Sequence, residues 1–178
     1  MKCSPIALVA LLQATAAMPV QADTECNTYG FALDPMRSIE LRAGAGEQFE
    51  RIATVPADAD RSLFGIVGVG HRPLDIHWLK IDRVLDSKGR TVFSGAGWVP
   101  AIQLAVKSHP RYAVFVAPSM HAEPVGISLF DAVLPLADCR GEWVQVELPV
   151  TGTEIDDPQL RGWMPSSAYC GNPWVECD

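Results

Sequence analysis

Several features that mark common functional classes are missing from this sequence. Acidic residues outnumber basic ones by 21 to 14, and the net charge of −7 argues against nucleic acid as a partner, because phosphate binding needs grouped Lys and Arg. Apart from a short apolar run at the start, no stretch approaches the ~20 apolar residues of a membrane-spanning helix. An amphipathic helical stretch of useful length is also absent. The sequence therefore predicts no nucleic-acid binding and no membrane insertion.

Motifs for catalysis are missing as well. The chain has no Gly-x-Ser-x-Gly and no phosphate-binding loop. Asp138-Cys139-Arg140-Gly141 resembles the Asp-Cys-Ser-Gly element of cell-wall cysteine peptidases, but those enzymes need a histidine after the cysteine, and all four histidines of this chain precede it. His71 and His77 are the closest histidine pair, and their spacing matches no zinc pattern. We therefore predict no enzyme, no cofactor and no metal site.

The first residues have the pattern of a secretory signal. A positive start at Met1-Lys2 precedes an apolar run, and Val20-Gln21-Ala22 offers small residues for cleavage. We expect residues 1–22 to be a signal peptide and the mature protein to be periplasmic or secreted.

Four cysteines follow the predicted signal: Cys26, Cys139, Cys170 and Cys177. In an exported chain an even number of this kind predicts two disulfides, and the sequence leaves three connectivities open. We favour Cys139 with Cys170, because both lie in the second half of the chain, which leaves Cys26 with Cys177.

A tryptophan motif occurs twice, and it organises the rest of the chain. Trp78 and Trp98 are 20 positions apart, Trp143 and Trp163 are also 20 apart, and the second pair follows the first by 65 positions. The second tryptophan of each pair lies in a Gly-Trp-x-Pro sequence. Short apolar segments separated by Gly and Pro predict many short strands. We expect an all-β fold with an N-terminal arm at 23–34, one unit at 35–107 and a second at 108–178 that includes a C-terminal tail; residues 107–111 would link the units.

Alternation along the two tryptophan strands predicts which side chains face away from the core. In the second repeat, for example, Val144 and Val146 fall on the core side. The outward residues are Trp78, Lys80 and Asp82 in the first repeat and Trp143, Gln145 and Glu147 in the second. A large aromatic side chain placed outward twice indicates either a ligand-binding surface or a seam between the repeats, and the sequence leaves both open.

Three segments of the first repeat resemble the bacterial Src-homology-3-like (SH3b) domain. They are Leu41-Arg42-Ala43-Gly44-Ala45-Gly46, the strand beginning Trp78-Leu79-Lys80-Ile81, and Gly97-Trp98-Val99-Pro100. The second repeat matches at Trp143-Val144-Gln145-Val146 and at Gly162-Trp163-Met164-Pro165. The first repeat departs from the family at Ala45, where proline is usual, and in a long insertion before Trp78. The opening of the second repeat is degenerate.

The resemblance implies two tandem small SH3-like β-barrels, each five-stranded and partly open, used as a binding module. We expect a non-catalytic protein that recognises peptidoglycan or its stem peptide through a shallow aromatic groove, with Trp98 and Trp163 serving the packing. The alternative is a protein-interaction module, such as an inhibitor or immunity factor against a secreted or cell-wall enzyme, that binds through the loops at 70–77 and 151–159. The tryptophans could also meet at the seam and bind nothing. No motif in the sequence indicates the identity of the ligand or the oligomeric state.

Overall fold

Strands make up most of the described part of the chain. The computed structural model describes residues 24–70, 77–128, 131–148 and 160–175. The predicted signal peptide, residues 71–76, the loop 151–159 and Cys177 lie outside these residues.

Two 3₁₀ helices, each directly after a Gly-Trp-x-Pro motif, accompany the strands of the described residues. In chain order the strands are β1 (Thr24–Ala32), β2 (Ile39–Arg42), β3 (Arg51–Val55), β4 (Leu63–Gly70), β5 (Trp78–Leu85), β6 (Thr91–Pro100), β7 (Leu104–Ser108), β8 (Tyr112–Phe115), β9 (Pro124–Ser128), β10 (Val133–Arg140), β11 (Trp143–Leu148), β12 (Leu160–Met164) and β13 (Tyr169–Cys170). The 3₁₀ helices are Ala101–Gln103 and Ser166–Ala168.

Both repeats build the same succession of elements. A hairpin (β2–β3 or β8–β9) is followed by a three-stranded meander (β4–β5–β6 or β10–β11–β12), a 3₁₀ helix and a final strand (β7 or β13). All strands join one antiparallel sheet in the order β3-β2-β6-β5-β4-β1-β7-β10-β11-β12-β8-β9, with β13 paired to β7. The all-β prediction is confirmed. Within the described residues the path does not close, so the barrel description stays a prediction.

The residues expected to form an N-terminal arm form strand β1 instead. Its side chains alternate, with Cys26, Thr28 and Gly30 buried and Glu25, Asn27 and Tyr29 exposed. Cys26, Thr28 and Gly30 are small or polar, and the buried apolar residues Phe31 and Ala32 come only at the end of the strand, so the segment lacks the apolar alternation that identifies a strand. β1 pairs with β4 along most of its length and with β7 at its end.

Strand β7 joins the two repeats, and the expected boundary between residues 107 and 108 falls inside it. Ala105 pairs with Phe31 of β1 and with Pro135 of β10, while Ser108 pairs with Tyr169 of β13. The Ser108 hydroxyl is buried and lies 2.7 Å from that of Ser128. The predicted linker is therefore partly a strand, since Lys107 and Ser108 belong to β7.

One hydrophobic core runs through both repeats and is cross-linked at its edge. It contains Leu79 and Val99 from the first repeat and Val144 and Met164 from the second.

The disulfide joins Cys26 to Cys139, with Cα atoms 5.8 Å apart. The expected pairing of Cys139 with Cys170 is therefore wrong. The unexpected β1 explains the error, since it brings Cys26 beside the β10–β11 turn, where Asn27 N donates to Gly141 O at 2.8 Å.

The C-terminal tail returns to the first repeat. The indole Nε1 of Trp174 donates to the carbonyl oxygens of Asp60 and Arg61 at 3.0 and 3.1 Å. The Cys170 thiol, which is not in a disulfide among the described residues, donates to Asn172 O at 3.3 Å.

In the described portion of the chain no helix has the length and hydropathy to cross a membrane.

Candidate functional site

The outward face of β5 in the first repeat is closed rather than open. Leu79 pairs with Val69 and Val99 on the core side, so Trp78 and Lys80 lie on the other face. Trp78 is nevertheless only 3% exposed. The expectation of an accessible aromatic at Trp78 is therefore wrong.

The loop between β2 and β3, residues 43–50, lies over the same face. A Cβ atom at Gly70, the residue opposite Trp78, would lie 2.9 Å from the Trp98 ring and 3.0 Å from Ala45 of that loop. Trp98 and the loop both lie close to the position of this absent side chain, and Trp98 is only 8% exposed. The missing side chain at Gly70 makes this close approach possible.

The other two predicted residues of the first repeat are engaged within the protein. The Lys80 ammonium lies 5.6 Å from the centre of the Trp98 ring, which is cation–π geometry. The Asp82 carboxylate contacts Arg83 at 3.2 Å.

In the second repeat the first tryptophan of the motif is partly accessible, whereas Phe115 and Trp163 are as buried as Trp98, at 8% and 6% exposure. Trp143 is partly exposed and meets the ring of Phe115 edge-on, with centroids 5.9 Å apart and planes at 77°. Phe115 lies opposite Trp163 across β8 and β12. The guanidinium of the exposed Arg140 is 5.8 Å from the Trp163 ring centre. We call Phe115, Trp143, Trp163 and Arg140 the aromatic face of the second repeat.

The remaining predicted residues border this face. Gln145 is opposite Trp163 on the neighbouring strand, and Glu147 is opposite Arg161. The Glu147 carboxylate accepts a hydrogen bond from the Arg161 guanidinium at 3.3 Å. The structure therefore brings Trp143, Gln145 and Glu147 to one surface, beside Phe115 and Arg140, which the sequence reasoning missed. Alternation from the buried Val114 would have placed Phe115 outward.

The β2–β3 loop and the β8–β9 loop share a backbone hydrogen bond but differ in one side-chain contact. Ala43 N donates to Glu50 O at 2.9 Å in the first repeat, and Val116 N donates to Glu123 O at 2.9 Å in the second. Arg42 reaches into the first loop, where its Nη1 donates to the carbonyls of Glu47 and Phe49 at 3.0 Å. Phe115 replaces this arginine in the second repeat and offers no donor.

A buried tyrosine ties the second repeat to β1 next to this surface. Tyr169 Oη donates to Glu142 O at 3.1 Å and lies 2.7 Å from the Thr28 hydroxyl. Burial raises the pKa of Tyr169, the Thr28 hydrogen bond offsets part of this rise, and the charge of Glu142 adds to it. The phenol is neutral near pH 7, and its role is structural.

No arrangement for metal binding occurs in the described segments, where no three His, Cys, Asp or Glu side chains form a group suited to an ion. His71 and Asp75 lie outside them. Comparison with models of known families, with curated proteins and with solved structures finds no match to this chain.

Proposed function

We propose that this chain is an exported, non-catalytic binding protein built from two SH3b-like units, and that the aromatic face of its second repeat recognises peptidoglycan through the stem peptide. The signal-like N-terminus supports export, as does the Cys26–Cys139 disulfide, since disulfides persist in oxidising compartments. The shared succession of strands in the two repeats supports the SH3b-like description.

The partial exposure of Trp143 beside Phe115 is the observation that carries this proposal. An indole ring supplies rigid apolar area at small cost in conformational entropy and stacks on flat or extended ligands, while the buried Phe115 ring supports Trp143 edge-on. The exposed guanidinium of Arg140 can pair with a carboxylate of the same ligand. Trp78 is buried, so the proposal assigns recognition to the second repeat alone and a supporting role to the first.

Co-sedimentation with isolated sacculi tests the proposal. The oxidised mature protein is expected to pellet, and Trp143→Ala should reduce the pelleted fraction at least tenfold. Tyr112→Ala is the matched control, because Tyr112 is an exposed aromatic residue of the same repeat outside the aromatic face. Circular dichroism of each variant checks the fold. Equal pelleting of Trp143→Ala and the parent, or no pelleting of the parent, contradicts the proposal.

One observation favours a protein ligand as the second candidate. The loop 116–123, next to Phe115, exposes Val116 by 53% and Met120 by 63%. Exposed apolar side chains of this kind occur where protein partners bind. An inhibitor or immunity factor would then use this loop. A stable complex with a muramidase that Met120→Ser weakens, together with no binding to sacculi, would favour this candidate.

A further inference from the structure

The connection between β1 and β2 differs from its counterpart in the second repeat. Leu33 N donates to Gln103 O at 2.9 Å, and His109 N donates in the same way to Ala168 O at 2.9 Å. From these equivalent anchors the first connection uses residues 33–38 and the second only 109–111. The three additional residues stand away from the first 3₁₀ helix and leave a hollow of about 300 Å³ between them and that helix.

The floor of this hollow is apolar and its rim is polar. Leu33, Ile39 and Ile102 supply the apolar surface, and Ile39 at its base is only 4% exposed. Ser38 and Gln103 bring a hydroxyl and an amide to the rim. The volume is at the lower end for small-ligand sites, which suits a ligand of dipeptide size.

Two charged residues, Asp34 and Arg37, also line the hollow, and they differ in their contacts. Asp34 forms the local turn, since its carboxylate accepts from Met36 N at 2.9 Å and its carbonyl accepts from Arg37 N at 3.3 Å. The Arg37 guanidinium makes no ion pair within the described ranges. Five other arginines there do pair with carboxylates; they are Arg42, Arg51, Arg83, Arg90 and Arg161. Arg37 is exposed, so its guanidinium is accessible to an anion that enters the hollow.

We propose that this hollow binds a carboxylate carried on a small apolar group, as at the carboxyl terminus of a short alanine-containing peptide. The guanidinium fork of Arg37 matches the two oxygens of a carboxylate, while Ile39 and Ile102 contact the methyl-sized side chain. The Asp34 carboxylate repels any anion and opposes a doubly charged one such as phosphate more strongly than a carboxylate. This site lies in the first repeat and goes beyond the proposed function, because it does not use the aromatic face.

An NMR titration of the ¹⁵N-labelled oxidised protein tests this inference, with N-acetyl-alanyl-alanine as the probe and its C-terminal amide as the control. The acid should shift the amide signals of Leu33, Ile39 and Gln103, and the amide should bind at least tenfold more weakly. Arg37→Gln should also weaken the binding of the acid at least tenfold. Arg111→Gln should not, since Arg111 occupies the shorter connection of the second repeat.

The alternative results are equally specific. Equal binding of free alanine would support the carboxylate site and identify an amino acid as its source. Equal binding of the amide, equal binding of inorganic phosphate, shifts confined to other residues, or unchanged affinity in Arg37→Gln would each overturn the inference. Both arginines are exposed, and the signals of each variant away from its own connection verify that the fold is intact. Trp143→Ala should leave this titration unchanged, so failure of the titration is distinct from failure of sacculus binding.

Discussion

Arg42 and Phe115 occupy equivalent positions, each opposite the second tryptophan of its repeat, yet only Arg42 holds the neighbouring loop. Arg42 lies opposite Trp98 and hydrogen-bonds two carbonyls of residues 43–50, whereas Phe115 lies opposite Trp163 and contacts Trp143. The backbone turns are shared, since Phe49 N donates to Gly46 O as Ala122 N donates to Ser119 O. The repeats thus differ at this position and also opposite the first tryptophan, where Gly70 faces Trp78 and Arg140 faces Trp143, while Trp98 and Trp163 are equally buried at 8% and 6% exposure.

Replacing Arg42 by alanine should open the first repeat. Without its two hydrogen bonds to loop carbonyls, residues 43–50 should separate from Trp98, and the free energy of unfolding should fall by about 1–2 kcal/mol. Acrylamide quenching of tryptophan fluorescence should rise. Arg51→Ala is the control, because Arg51 shares the Glu40 carboxylate with Arg42 and makes no such loop contact. Unchanged quenching in Arg42→Ala would contradict the role given to this residue.

Removing the disulfide should cost much of the stability. Cys26 and Cys139 are 113 positions apart, and in the chain-entropy estimate a cross-link over that distance contributes about 4–5 kcal/mol. Urea unfolding of Cys26→Ala/Cys139→Ala against the oxidised parent measures the difference. Peptide mapping under non-reducing conditions should recover Cys26 linked to Cys139. A peptide that links Cys139 to Cys170 would refute the pairing.

Tyr169 should make the protein sensitive to high pH. Its pKa in the folded state is raised chiefly by burial, so its contribution to stability is complete below the unfolded pKa of about 10 and is lost as the pH rises towards the folded pKa. Urea midpoints should therefore fall above pH 10 in the parent, and less steeply in Tyr169→Phe. At pH 7 that variant should lose about 1–2 kcal/mol, because Thr28 and Glu142 O lose their partner. Parallel pH profiles would argue against this assignment.

Asp58 should have the opposite pH dependence. Its pKa is lowered mainly by the hydrogen bond from Ser87 N, at 2.9 Å, which joins the β3–β4 turn to the β5–β6 turn. A carboxyl with a depressed folded pKa contributes stability above its unfolded pKa of about 3.9 and loses it as the pH falls through the folded value. Asp58→Ala should thus be less stable than the parent at pH 7, with the difference shrinking in acid. A constant difference down to pH 2 would disagree with this account.

The sequence predicted what depends on local pattern. The tryptophan repeat indicated two equivalent β units, and alternation around Val144 and Val146 correctly placed these residues in the core and Trp143 outside it. Trp98 and Trp163 are buried, as expected from their place beside glycine, at 8% and 6% exposure. The strand period accounts for the core valines and for Trp143, but Trp98 and Trp163 lie on the outward face, opposite Lys80 and Gln145, so their burial does not follow from alternation.

What the sequence did not predict depends on contacts between distant residues. Cys26 reaches Cys139 only because β1 enters the sheet, and the small buried side chains of β1 gave no hydrophobic signal. Trp78 is buried on the outward face, where Trp98 and Ala45 both lie close to Gly70, and alternation along β5 cannot reveal this. The SH3b resemblance and the ligand stay predictions.

The most direct measurement follows the indole N–H signals of the five tryptophans by NMR while soluble disaccharide-tetrapeptide, released from peptidoglycan by a muramidase, is added. The account predicts that the Trp143 signal shifts in a saturable way, that the buried Trp78 signal does not, and that Arg140→Gln weakens the titration. Saturable shifts of Trp78 without Trp143, or no shift of either at millimolar muropeptide, would contradict the claim that the aromatic face of the second repeat binds the stem peptide.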